Sequence, residues 1–102
     1  MKKYTLYIGL NDKDSKVQEI GLLDAYKVVS NIFTETCGFA TIHEGRGVYT
    51  HNDGTPVQET TLIAFVNTDD NDSIKKAAAM IKTALNQESI MIEISEVNAM
   101  FF

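Results

Sequence analysis

The residues with the most chemistry per unit length lie between positions 43 and 56, "HEGRGVYTHNDGTP". The stretch holds both histidines, His43 and His51, the only arginine, Arg46, and the only proline, Pro56. Arg46 stands between Gly45 and Gly47. Glycine lets backbone approach a ligand closely, and arginine presents a planar fork of donors that suits carboxylate or phosphate. Gly45, Arg46, Gly47 and Tyr49 are therefore the candidate ligand-binding residues. His43 with Tyr49 is the alternative pair, suited to acid–base work in an oligomer cleft. No nucleophile stands beside a base in any motif, so the residues favour binding over catalysis. The bland alternative for Arg46 is a cross-strand ion pair with Glu44 or Glu59, worth at most about 1 kcal/mol when exposed.

Metal and cofactor chemistry find little support. Eight residues of extended chain separate the two histidines by roughly 26 Å, too far to share one ion. "DKDS" and "DDNDS" are acidic but lack the glycine and glutamate positions of a calcium loop. No phosphate-loop pattern occurs. No metal and no cofactor is expected.

The elements that must carry these residues follow from periodicity. "YTLYIGL" (4–10) alternates, with Tyr4, Leu6 and Ile8 on one face, and reads as a strand. Leu22, Tyr26, Val29, Phe33 and Thr36, widened by Ile20, Leu23, Ala25 and Ile32, predict a helix over 17–37. Gly38 suits the position just past its end. "FATIHEGRGVYT" (39–50) and "VQETTLIAFVN" (57–67) read as strands joined at Asp53-Gly54, a two-residue hairpin signal. That turn places Arg46 opposite Thr61, His43 opposite Ala64 and Tyr49 opposite Gln58. "TDDNDS" offers caps for a second helix over 73–87, with Ile74, Ala77, Ala78, Ile81, Ala84 and Leu85 on one face. "SIMIEISEV" (89–97) is the last strand.

The order β-α-β-β-α-β over residues 1–102 predicts a single α+β domain of ferredoxin-like type. It would have a four-stranded antiparallel sheet with two helices on one face. The other face would then be bare, with apolar residues of the third strand and Met91 on it. That exposure, and the "VNAMFF" tail, predict a homo-oligomer, trimer or dimer.

Composition narrows the classes. The chain has 102 residues, 44% of them hydrophobic, and a formal charge of −5. The net charge disfavours nucleic acid, and the lysines are scattered without interleaved aromatics. No apolar run approaches a membrane span, the start lacks a signal peptide's apolar core, and Cys37 is alone. A cytoplasmic setting without membrane partners is expected.

The element order, with a long glycine-containing hairpin between the second and third strands, resembles the PII-like signalling proteins. The resemblance lies in layout over most of the chain. It implies three subunits packed around an axis, an outward-reaching loop at roughly Gly45 to Gln58, and small ligands, often nucleotides, in clefts between subunits. Where nucleotide-binding PII proteins carry a glycine- and lysine-rich loop after the second helix, this chain reads "NQES" (86–89), so the resemblance does not extend to their nucleotide motif. The expectation is a small oligomeric binding or regulatory protein whose ligand is a small anion or a protein partner. The rivals are a cofactor-free enzyme of the dimeric α+β barrel kind, with His43 and Tyr49 lining its pocket, and a structural accessory subunit.

Overall fold

In the computed structural model, which describes all 102 residues, six elements run β1 (Lys2–Gly9), α1 (Leu22–Thr36), β2 (Thr41–Thr50), β3 (Pro56–Thr68), α2 (Asn71–Ala84) and β4 (Met91–Glu96). The strands form one sheet in the order β2-β3-β1-β4, and every neighbouring pair is antiparallel. This is the ferredoxin-like α+β arrangement that the periodicity predicts.

Alternation in β1 and β3 builds the core. Tyr4, Leu6 and Ile8 lie opposite Val66, Ala64 and Leu62, and all six are buried. Ala25, Val29, Ile32 and Phe33 of α1 and Ile74, Ala77 and Ile81 of α2 pack onto that same face. Each large aliphatic or aromatic side chain so buried stabilises the fold by about 1.5–3 kcal/mol before entropy is counted.

α1 begins at Leu22, not at 17. Residues 17–21 stay outside the helix because the chain turns back on itself there. Asn11 bridges to Gln18, and the Asp12 N–H donates to the Val17 carbonyl at 2.8 Å. The core stripe of α1 is also rotated from the predicted one, leaving Leu23 and Tyr26 exposed. Gly38 follows the helix at φ +87° and donates its N–H to the Phe33 carbonyl, as its sequence position implies. α2 starts at Asn71, where the Asp70 side chain accepts from the Ser73 N–H at 3.1 Å.

The β2–β3 hairpin departs from expectation in register. The connection is a three-residue loop, Asn52-Asp53-Gly54, closed by the pair His51 and Thr55. The His51 N–H donates to the Thr55 carbonyl, and the Gly54 N–H donates to the His51 carbonyl, both at 2.9 Å. Gly54 takes φ +89°, the left-handed residue that such a loop requires. One extra loop residue shifts every pair by one. Arg46 therefore faces Thr60, His43 faces Ile63 and Tyr49 faces Val57, which corrects the pairing predicted for a two-residue turn.

A one-residue shift exchanges the faces of the sheet. Ile42, Glu44 and Arg46 fall on the helix side with Leu62 and Ala64. His43, Gly45, Gly47 and Tyr49 fall on the open side with Glu59, Thr61, Ile63 and Phe65, beside Tyr7 and Gly9 of β1 and Met91 of β4. The open face has no cover from within the chain. Beyond β4, Val97 donates to the Met1 carbonyl at 3.0 Å, after which Met100, Phe101 and Phe102 project into solvent rather than folding back on the sheet. No helix is long and apolar enough to cross a membrane.

Candidate functional site

A cavity of about 280 Å³ opens at the end of the bare sheet face where β1 stops. Its wall combines Tyr7 and Gly9 of β1, Gly47 and Tyr49 of β2, Glu59 of β3 and Glu88 of the α2–β4 loop. Glycine makes the hollow. A Cβ on Gly47 would stand 2.8 Å from Thr61 Oγ1, and one on Gly9 would run into the Glu59 carboxylate.

Glu59 lies across the end of β1, where its Oε2 accepts the Asn11 backbone N–H at 3.0 Å. Burial pushes its carboxyl above the usual range. The Asn11 hydrogen bond opposes that shift, and the charge of Glu88 adds to it. Burial likewise raises the Tyr49 phenol, reinforced by the charges of Glu59 and Glu88.

Behind this wall lies His51, whose side chain is fully shielded from solvent. Its Nδ1 is 3.0 Å from Glu88 Oε1 and 3.0 Å from the Tyr49 hydroxyl. Lys16, in the β1–α1 loop, brings Nζ to 3.5 Å from the same Glu88 oxygen. The cavity is thus lined by two carboxylates, with one cation reaching one of them from outside.

Of the residues singled out in the sequence, Gly47 and Tyr49 line this cavity. Gly45 is one pair further along the same face, against Ile63. Arg46 points away from it. It lines a second, polar cleft of about 440 Å³ with Asn11, Lys16, Gln18, Gln58 and Thr60, and Glu59 stands between the two hollows. Arg46 makes no ion pair, so neither the predicted partner Glu44 nor Glu59 holds it. The register explains Glu59, whose side chain leaves from the other face. His43 stacks on Phe65 with ring centroids 5.2 Å apart, and six residues of strand, about 20 Å, separate it from Tyr49. One chain does not bring that pair together. No group of three or more His, Cys, Asp or Glu side chains is placed to hold a metal ion.

Glu59, Glu88, Tyr7 and Gly9 carry the cavity yet escaped sequence reasoning. In the α2–β4 loop, "NQES", a lone glutamate carries no motif that marks Glu88 as a cavity residue. Glu59 enters the sequence reading only as a partner for Arg46, because the expected register puts the two on one face of the sheet.

No protein-family model matches the chain, and no curated protein matches it. Several solved structures are similar. A phage S-adenosylmethionine (SAM) lyase in complex with S-methyl-5'-thioadenosine aligns at TM-score 0.71 and 24% identity, covering 93% of this chain and 80% of that one. CutA1 from Pyrococcus horikoshii OT3, in a mutant form, aligns at TM-score 0.58 and 19% identity, over 99% and 87% of the two chains. The divalent ion tolerance protein CutA1 from Ehrlichia chaffeensis aligns at 0.54 and 20%, over 97% and 84%. At these identities the likeness is one of fold, and the chain has the ferredoxin-like fold that those proteins share.

Proposed function

We propose that this chain is a homo-oligomeric small-molecule-binding protein of PII-like architecture. Its ligand is an organic cation built on a nucleoside, of the S-adenosylmethionine class. The observation that carries this reading is the sign of the cavity. Glu59 and Glu88 line it, Gly47 and Tyr49 shape it, and Arg46 lies outside it. An anion entering there meets carboxylates at close range, whereas a sulfonium or ammonium gains from them. Tyr7, Tyr49 and Met91 supply apolar and aromatic surface for a base and a thioether. The similar phage lyase, solved with an adenosyl thioether, supports the ligand class.

The volume supports the assembly. About 280 Å³ is at the small end of ligand pockets, roughly 300–1,000 Å³. A second copy laid on the bare sheet face would close the hollow and cover Met91, which is 58% exposed. A trimer is the arrangement we favour, after the PII-like layout.

The small-anion reading moves to a different place. Arg46 and Lys16 share the polar cleft, where a carboxylate or phosphate finds two cations against the one carboxylate of Glu59. Catalysis is a further reading, favoured by the lyase neighbour: turnover would release S-methyl-5'-thioadenosine from S-adenosylmethionine.

A thermal-shift panel tests these readings. S-adenosylmethionine at one hundred times its dissociation constant should add about 2.7 kcal/mol of stability. ATP and inorganic phosphate should add nothing that depends on Glu88. Stabilisation by phosphate that vanishes in Arg46→Ala would favour the anion cleft instead. A panel without any shift would contradict both.

A further inference from the structure

His51 is the first residue beyond β2, and its backbone closes the hairpin loop on both sides, through N–H to Thr55 and through C=O to Gly54. The imidazole is therefore anchored before its side chain makes any contact. Its ring sits edge-on to Tyr49, with centroids 4.8 Å apart. Nδ1 is 3.0 Å from Glu88 Oε1 and 3.0 Å from the Tyr49 hydroxyl, while Nε2 is buried without a partner.

The proton inventory follows from these contacts. A carboxylate only accepts, so the bond to Glu88 requires the proton on Nδ1. Tyr49 then cannot donate to Nδ1, and its own proton is left for another acceptor. Nε2 carries a lone pair in that tautomer. An orphaned lone pair in a dry site is less costly than the orphaned N–H of an imidazolium. Glu88 is held through Oε1 by His51 and Lys16, and its Oε2 has no hydrogen-bond partner within the chain. Glu88 and Tyr49 both line the cavity. Three segments distant in sequence meet at one carboxylate oxygen, and His51 is the only one of the three groups with no access to solvent.

We propose that His51 is a positioning residue that fixes the Glu88 carboxylate and the Tyr49 hydroxyl on the cavity wall through Nδ1. It thereby gives the cavity its preference for ligands with a fixed positive charge over their neutral counterparts. This rests on the cation reading of the cavity given above. Fixing the carboxylate matters because a charge held in place acts on the ligand without first being ordered. Released, Glu88 is a half-exposed side chain that turns to solvent.

The test compares S-adenosylmethionine with S-adenosylhomocysteine, which differ by the methyl group that makes the sulfur cationic. Wild type should prefer the sulfonium. His51→Leu should cut the ratio of the two affinities by about tenfold while changing the neutral ligand's affinity little. Glu88→Gln should do the same, and the double variant should do no more than Glu88→Gln, because the two residues act as one unit. His51→Asn should retain the preference, since its amide nitrogen falls where Nδ1 stands. His51→Gln, whose amide falls near Nε2, should lose it. The asparagine–glutamine contrast decides the matter if the leucine variant fails to fold.

An unchanged ratio in His51→Leu and His51→Gln would overturn the proposal. So would equal loss of both ligands, which is the signature of a purely structural role. If wild type binds neither ligand, the cation reading falls and the selectivity claim with it. The positioning claim is then read without ligand from the ring nitrogen resonances of His51. A proton on Nδ1 that is lost in Glu88→Gln supports it, and a proton on Nε2 overturns it.

Discussion

The carboxylate of Glu59 occupies the space that a Cβ on Gly9 would need. The two residues meet where β1 ends and β3 runs on, and Gly9 is paired with Thr61, two residues beyond Glu59. This close approach lets a glutamate lie across the strand end and accept the Asn11 N–H. A charged group is thus set into a half-buried wall with a fixed direction.

Gly9→Ala should drive Glu59 out of that position and leave the buried Asn11 N–H without its acceptor. An orphaned buried donor costs about 1–3 kcal/mol. Each kilocalorie lowers the thermal midpoint of a domain of this size by about 4–8 °C. Gly21→Ala is the control. A Cβ there meets nothing within 4 Å, so the midpoint should hold. Thermal denaturation of the two variants checks the contrast.

Glu59 also gives the fold a pH signature. Its carboxyl is held above the ordinary range by burial, so the folded state binds its proton more tightly than the unfolded chain does. Stability from this group is fully present below the ordinary carboxylate value. It is lost as pH rises through the raised folded value. Glu59→Gln should therefore be more stable than wild type at neutral pH, and the difference should close in acid. Melting curves between pH 3 and 8 read it directly. A Gln variant less stable at pH 7 would show that the Asn11 hydrogen bond to the carboxylate outweighs burial.

Arg46 is exposed and unpaired, so Arg46→Ala should change stability by no more than about 0.5 kcal/mol. It should leave S-adenosylmethionine affinity within a factor of two, because Arg46 lies outside the cavity of Tyr49 and Glu88 and shares only Glu59 with it. Phosphate or carboxylate binding that disappears in this variant would assign the ligand to the Arg46 cleft.

Met100, Phe101 and Phe102 stand in solvent at the end of the chain. In a homo-oligomer they are the readiest apolar surface to bury. Removal of Phe101 and Phe102 should lower the oligomer's mass by light scattering at micromolar concentration. An unchanged mass would remove the tail from the assembly.

Much of the fold was legible because its periods are clean. The alternation through Tyr4, Leu6 and Ile8, and the stripe through Ile74, Ala77 and Ile81, each have one physical solution. The start of α1 was not legible, because Val17 and Ile20 extend the helical spacing while a local bridge, Asn11 to Gln18, holds them elsewhere. The register failed for a sharper reason. Asp53-Gly54 serves a two-residue or a three-residue loop equally well, and only the closing pair His51–Thr55 decides between them. That single residue moved Arg46 off the face that carries Glu59 and brought Gly47 and Tyr49 onto it. Gly47 and Tyr49 were found as candidates because glycine and tyrosine in a strand are conspicuous. Glu88 and Tyr7 were not, because only the closed sheet brings them to the same cavity.

The central claim is that two carboxylates make this cavity a site for a cationic nucleoside. Calorimetric titration of S-adenosylmethionine into wild type and into Glu59→Gln tests it most directly. Saturable binding to wild type is expected, weakened about tenfold in Glu59→Gln, with ATP giving no heat from the same cavity. Equal affinity in the two proteins, or ATP competing for the site, would contradict it.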